Sequence, residues 1–193
     1  MKLVLALLLV LMIATTAHAK TETNNIGPYK VSFDLNTTLN HTVKLSKPIN
    51  SPSAVLYNIF ITTRNYTLAG LSIIESKNLT DSTLPTDKYI NELNMVIGGY
   101  SKNISSANIT IDGKKGFVLT GLNTKNMRLF QASYWLDRKD CECGPVSIGT
   151  TQVAVTSAYP VNVTIDMLKT LHIEKIKQAE KPKILTFGPP KIS

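Results

Sequence analysis

The sequence predicts an α+β fold, a twisted antiparallel sheet with two helices packed on one face. Three observations lead there. Several runs alternate apolar and polar residues with the period of a half-buried strand. An Asp-Gly pair joins two of those runs, the chemistry of a tight hairpin. Two stretches instead carry apolar residues three and four apart, the spacing of a one-sided helix. The order is strands, helix, strands, helix, and the hairpin linkage favours antiparallel pairing with both helices on the sheet.

Taken in chain order, residues 20–25 are polar and predict a loose lead-in. Residues 29–35 place Tyr29, Val31, Phe33 and Leu35 on one face and form the first strand. Residues 42–45 are its expected hairpin partner, after the turn-prone segment 36–40. Pro48 and Pro52 bracket another turn, and residues 57–62 and 68–75 are two further strands. A helix follows: Thr86 supplies a cap, Ile90, Leu93, Ile97 and Tyr100 form one buried stripe, and Gly98-Gly99 weakens its last turn.

Next comes a hairpin of residues 106–111, the turn Asp112-Gly113, and residues 116–120. Residues 127–136 are another strand, with Trp135 and Tyr134 on opposite faces, so one of the two is expected outside the core. Residues 152–158 are expected to be the last strand, broken by Pro160. A terminal helix is then predicted over 165–177, where Ile165, Leu168, His172 and Ile176 share a face beside Leu171. Lys169, Lys175 and Lys177 would suit its negative end.

The hairpin Ile111-Asp112-Gly113-Lys114-Lys115-Gly116, together with Val153-Ala154-Val155-Thr156-Ser157-Ala158 leading to a helix around Met167-Leu168-Lys169-Thr170-Leu171, resembles the PsbP/Mog1-like α+β group. The resemblance covers residues 29–176 and implies the layered fold above. It carries over no catalytic residue, because folds of this kind host unrelated roles.

The organisation is a signal peptide at 1–19, a single domain at 20–178 and a flexible tail at 179–193. Lys2, the unbroken apolar run 3–13 and the small residues of Ala17-His18-Ala19 are the parts of a cleavable export signal, with cleavage after Ala19. The apolar run is too short for an ordinary span of roughly 20 residues, so no transmembrane segment is expected in the processed chain. Losing Lys2 takes the formal charge from +8 to +7. The lysines are dispersed and no arginine cluster interleaves with aromatics, so nucleic acid is not an expected partner. In the tail, Ile184-Leu185-Thr186-Phe187 has the composition of an added edge strand, in this molecule or another.

Seven Asn-x-Ser/Thr acceptors begin at Asn36, Asn40, Asn65, Asn78, Asn103, Asn108 and Asn162, none with proline in the middle. Behind an export signal they point to covalent N-glycans and to an archaeal or eukaryotic surface. An occupied asparagine must face water. In Asn108-Ile109-Thr110-Ile111 strand alternation puts Asn108 and Thr110 on the wet face, so acceptor pattern and hydrophobic pattern agree.

Chemistry-bearing motifs are sparse. Cys141-Glu142-Cys143 would form, if bridged, a strained and exchangeable disulfide; its spacing is not that of the two-residue redox motif. It reads as a staple across a turn, with a redox pair as the alternative. A structural zinc would need two more ligands, and beyond position 19 the histidines are His41 and His172, the latter on an apolar helical face. The pairs Asp81/Asp87 and Asp137/Asp140 read as turn and helix-start residues. Gly113-Lys114-Lys115-Gly116 resembles a phosphate loop in composition alone, and no Gly-x-Ser-x-Gly elbow occurs. No catalytic residue, metal or cofactor is therefore expected. The sequence predicts a non-enzymatic secreted or cell-surface glycoprotein, a structural or accessory component of an extracellular layer, whose partners are cell-surface proteins or further copies of the chain. The alternatives are an extracellular ligand-binding module using the sheet face opposite the helices, favoured by a hydrophobic cavity between sheet and helix, and a thiol–disulfide protein using Cys141 and Cys143.

Overall fold

The computed structural model describes residues 20–77, 82–84, 102–122, 126–138 and 146–176, with backbone alone for 82–84, 102–104 and 146–148. Strands dominate it: β1 (Lys20–Ile26), β2 (Tyr29–Leu35), β3 (Thr42–Leu45), β4 (Ile49–Asn50), β5 (Ala54–Thr62), β6 (Thr67–Ser76), β7 (Ser82–Leu84), β8 (Lys102–Ile111), β9 (Lys114–Leu122), β10 (Arg128–Trp135), β11 (Val146–Ile148), β12 (Thr151–Ser157) and β13 (His172–Lys175). One helix, α1 (Val161–Thr170), stands among the described residues. The predicted α+β fold with two helices on one sheet is thereby overturned in favour of a mostly β architecture. The expected helix after Thr86 and the tail from residue 179 lie outside the described residues.

Three antiparallel sheets make up the described fold. The order β1-β2-β13 forms a small sheet, and β3-β5-β6-β12-β10-β9-β8, with β4 also on β5, forms an eight-stranded one. A two-stranded pair joins β11 to β7. Alternation in β2 seals Tyr29, Val31, Phe33 and Leu35 on one face. That face and α1 cover one side of the large sheet, where Ile59, Ile61, Leu71, Ile73, Val153, Val155 and Ala132 complete a continuous core. Fully burying each large apolar side chain contributes roughly 1.5–3 kcal/mol. Phe117, Leu119 and Trp135, on the other side, are buried as well, so the β9–β10 part of the sheet is covered on both faces.

Local expectations fared unevenly. The Asp112-Gly113 hairpin forms as its chemistry requires, with φ of 53° and 70° at the two turn residues. Positive φ at both central positions is the type I′ turn that matches strand twist. By contrast, residues 20–25 are not loose. They form β1, paired residue by residue with β2 from Lys20↔Leu35 to Ile26↔Tyr29. Thr21 and Thr23 suit a strand that faces water, and Gly27-Pro28 closes the hairpin with positive φ at its first position. Residues 42–45 pair with β5 and not with β2, whose two edges are already taken by β1 and β13.

The terminal helix is also corrected. It begins earlier, at Val161 behind Pro160, and ends at Thr170, because Leu171 is extended with φ −62° and ψ 123°. His172 and Ile176 therefore leave the face that Ile165 and Leu168 were expected to share with them, and 152–158 is not the last strand. Residues 172–175 pair with β2 and bury Ile173. Lys169 does lie in the last helical turn, whereas Lys175 lies on β13. The corner between β12 and α1 is fixed by a buried hydroxyl pair, Ser157 with Thr164 at 2.8 Å, and by the Tyr159 amide donating to Ser157 Oγ at 3.1 Å.

Gly27 and Gly113 both hold positive φ, but their surroundings differ. A Cβ on Gly27 would run into the Tyr57 ring, whereas one on Gly113 would meet open space. Gly113→Ala should therefore cost about 1 kcal/mol from backbone strain alone. Gly27→Ala should cost about 2–4 kcal/mol, because overpacking adds to that strain. Urea midpoints of the two variants check this, and equal losses would contradict it.

Candidate functional site

Register places the strand ends in two groups. At one end of the large sheet, the β5–β6 connection, the start of β3 and the end of β12 come together, through Thr42↔Thr62 and Ser157↔Ala69. At the other, Glu75 faces Thr151 and Trp135 faces Gln152. The ten residues of β6, at roughly 3.3 Å each, separate these ends by about 30 Å.

An open groove of about 510 Å³ lies at the second end, lined by Tyr29, Asp112, Lys114, Leu136, Asp137, Thr150, Thr151, His172, Ile173 and Lys175. Five separate stretches of chain supply it, and its carboxylates are held by protein donors. Asp112, in the hairpin turn, accepts from His172 Nδ1 at 2.7 Å and from the Ile173 amide at 3.1 Å. Its side chain is 12% exposed and that of His172 59%. The Ile173 amide points away from β2, so Asp112 caps the open edge of β13 and ties it to the β8–β9 turn.

Asp137 follows β10 and accepts from the Thr150 amide and hydroxyl, both at 2.8 Å, and from the Thr151 amide at 3.1 Å. Burial works to raise its carboxyl, but the Thr150 and Thr151 donors outweigh that and hold it below the usual range. Asp140, its proposed partner, lies outside the described residues, as do Asp81 and Asp87.

Behind the groove, Glu75 gathers Tyr29 OH at 2.5 Å, Lys175 Nζ at 2.9 Å and Tyr57 OH at 3.2 Å. Burial again opposes ionisation, and the bonds from Tyr29, Lys175 and Tyr57 override it, so Glu75 also sits below the ordinary carboxylate range. Burial, and then the Glu75 carboxylate, push the Tyr29 phenol up. The rings of Tyr29 and Tyr57 meet edge to face at 5.5 Å. One carboxylate thus joins the small sheet to the large one.

No protein-family model, curated protein or solved structure matches the chain. Chemistry must then be judged on the side chains alone. The His172–Asp112 pair has the form of an oriented imidazole, but among the described residues no serine, threonine or cysteine bonds its other nitrogen. The same carboxylate holds a strand amide, so the pair is a clasp. His41, half-buried, contacts the Leu39 carbonyl at 3.1 Å and Glu22 at 3.3 Å, linking the β2–β3 loop to β1. Among the described residues, no group of three His, Cys, Asp or Glu could hold a metal, and no helix is long and apolar enough to cross a membrane.

Sequence-predicted residues fall out as follows. Asn36, Asn40, Asn65, Asn108 and Asn162 are all exposed. Asn40, Asn65 and Asn162 lie at the end away from the groove, as does Asn36, which follows the far end of β2; Asn108 is midway along the edge strand β8. Asn103 is on the β8 backbone, its side chain outside the described residues; Asn78, Cys141 and Cys143 lie outside them altogether. Tyr134 and Trp135 are both buried, at 1% and 6% exposure, so neither stands outside the core as one of them was expected to. Lys114 and Lys115 belong to a hairpin, not to a phosphate loop. The cavity beside α1, lined by Phe33, Ile61, Leu71 and Met167 among others, is about 10 Å³, room for about one water. That is too small for an apolar ligand. Sequence reasoning missed the groove because Tyr29, Asp112, Asp137 and His172 lie on separate stretches of chain, and no local signal brings them together.

Two outcomes are expected. Asp112→Ala should speed hydrogen exchange at the Ile173 amide and cost about 1–3 kcal/mol, leaving β5 and β6 amides unchanged in rank; an unaltered Ile173 amide would refute the clasp. Glu75 and Asp137 have folded-state values below their unfolded ones, so the stability they contribute is full above the ordinary carboxylate range and lost as pH falls through the lower folded values. Glu75→Gln should lower the neutral-pH urea midpoint and flatten the acid-side decline. A decline as steep as in the parent chain would contradict this.

Proposed function

We propose that the chain is a secreted or cell-surface glycoprotein that serves, without catalysis, as a structural or accessory component of an extracellular layer. The observation that carries this reading is the siting of the acceptors. All five whose side chains are described are exposed, while Asn58, the buried asparagine among the described residues, is not an acceptor and its Oδ1 accepts from the Ser72 hydroxyl at 2.7 Å. Four of these five gather at one end of the large sheet, away from the groove.

A second reading, a soluble extracellular ligand-binding module, draws on the groove and not on the sheet face or a hydrophobic cavity. The thiol-based reading rests on Cys141 and Cys143 alone, and nothing in the described residues adds to it.

The test is the intact native mass of the protein from its own host, before and after enzymatic release of N-glycans. The reading expects several glycans, with the mass falling stepwise as Asn40, Asn65 and Asn162 are changed singly to Gln. A bare polypeptide mass would overturn it.

A further inference from the structure

From the groove we infer that this end of the molecule binds a neutral, hydroxyl-rich ligand, a saccharide, in an open site formed by Lys114, Asp137, His172 and their neighbours. Four observations lead to that chemical class. The lining carries two carboxylates, Asp112 and Asp137, and two ammonium groups, Lys114 and Lys175, so it presents both signs and not a patch of one.

Both carboxylates are already pre-organised by protein donors, as described above. The two Asp112 oxygens accept one bond each and keep lone-pair capacity for a ligand hydroxyl, as does Asp137 Oδ1, whereas Asp137 Oδ2 already takes two bonds from Thr150. Donors also remain. His172 is well exposed, its Nδ1 is committed to Asp112, and its Nε2 has no bond among the described residues. Lys114 makes a single long contact, 3.5 Å to the Arg138 carbonyl. Finally, Leu136 and Ile173 supply apolar surface between these groups. A sugar ring presents that same mixture, hydroxyls at its edge and C–H groups on its face, and a groove of about 510 Å³ is within the range of small-ligand sites.

The position fits as well. Asn36, Asn40, Asn65 and Asn162, four of the five acceptors whose side chains are described, lie at the other end. The inference deepens the proposed role in an extracellular layer by giving that layer's saccharide a place to dock.

The experiment is saturation-transfer NMR on the glycosylated protein, with three neutral probes, cellotriose, mannotriose and the trimer of N-acetylglucosamine, and a sulfated heparin fragment as the charged comparison. Transfer to at least one neutral probe is expected. Lys114→Met and His172→Ala should each weaken it about three- to tenfold, the loss of one hydrogen bond. Lys114→Met leaves the Asp112 clasp intact, so it reports on the site even if the His172 variant loosens β13. No transfer to any neutral probe, transfer to the sulfated fragment alone, or affinities unchanged in both variants would each overturn the assignment. The glycan mass is read separately, so a failed groove and a failed glycoprotein reading are told apart.

Discussion

Strand β2 turns Tyr29, Val31, Phe33 and Leu35 inward, and the rest of the architecture is arranged so that these four side chains stay out of water. On their own, β1, β2 and β13 form a small sheet with one apolar face and no partner layer; it would be marginal in water. Laid across β5, β6 and β12, that face closes a core in which Val31, Ile73, Val153 and Leu168 are wholly buried. The helix is drawn into the same layer, since Met167 and Leu168 pack where β2 leaves off. Removing Phe33 to alanine would strip about 3–5 kcal/mol from a domain whose total margin is of the order of ten.

This seam also determines what the sheet ends can do. At the Tyr29 end, Glu75 is drawn into bonds with two phenols and an ammonium group, which keeps it charged despite partial burial. The edge strand β13 is held there by Lys175 on one side and by Asp112 on the other. The groove exists because strand ends from both layers stop at the same level and leave polar side chains between them. At the opposite end Asn36, Asn40 and Asn65, in loops, and Asn162, in the first turn of α1, are exposed. One molecule therefore has two chemically distinct ends about 30 Å apart, set by the length of β6.

What could be read from the sequence follows the range of the interactions involved. Period-two runs such as 29–35 and 68–75, and the Asp112-Gly113 turn, are local signals, and the strands and hairpin they specify are present. Pairing is not local. Nothing within residues 20–25 reports that β2 will offer them an edge, and polarity there records only that one face is wet. The segment around Leu171 and Ile173 is ambiguous in principle, because Leu168, Leu171 and Ile176 suit a helical stripe while Leu171 and Ile173 suit a strand. The vacant edge of β2 decides between them, and it lies some 140 residues away in the chain. The groove was illegible for the same reason: Tyr29, Asp112, Asp137, Thr150 and His172 meet only after the layers close. The exposure of Asn108 was legible, since strand alternation alone dictates it.

The central claim is that the small sheet and the large sheet are one cooperative unit, joined by the inward face of β2. Native-state hydrogen exchange measures this directly. The amides of Val31 and Phe33 should open with the same free energy and the same denaturant dependence as those of Ile73 and Val153, the value for global unfolding. If β2 amides exchange through a separate opening of lower free energy while the β6 and β12 amides stay protected, the small sheet is a dispensable cover and the account fails.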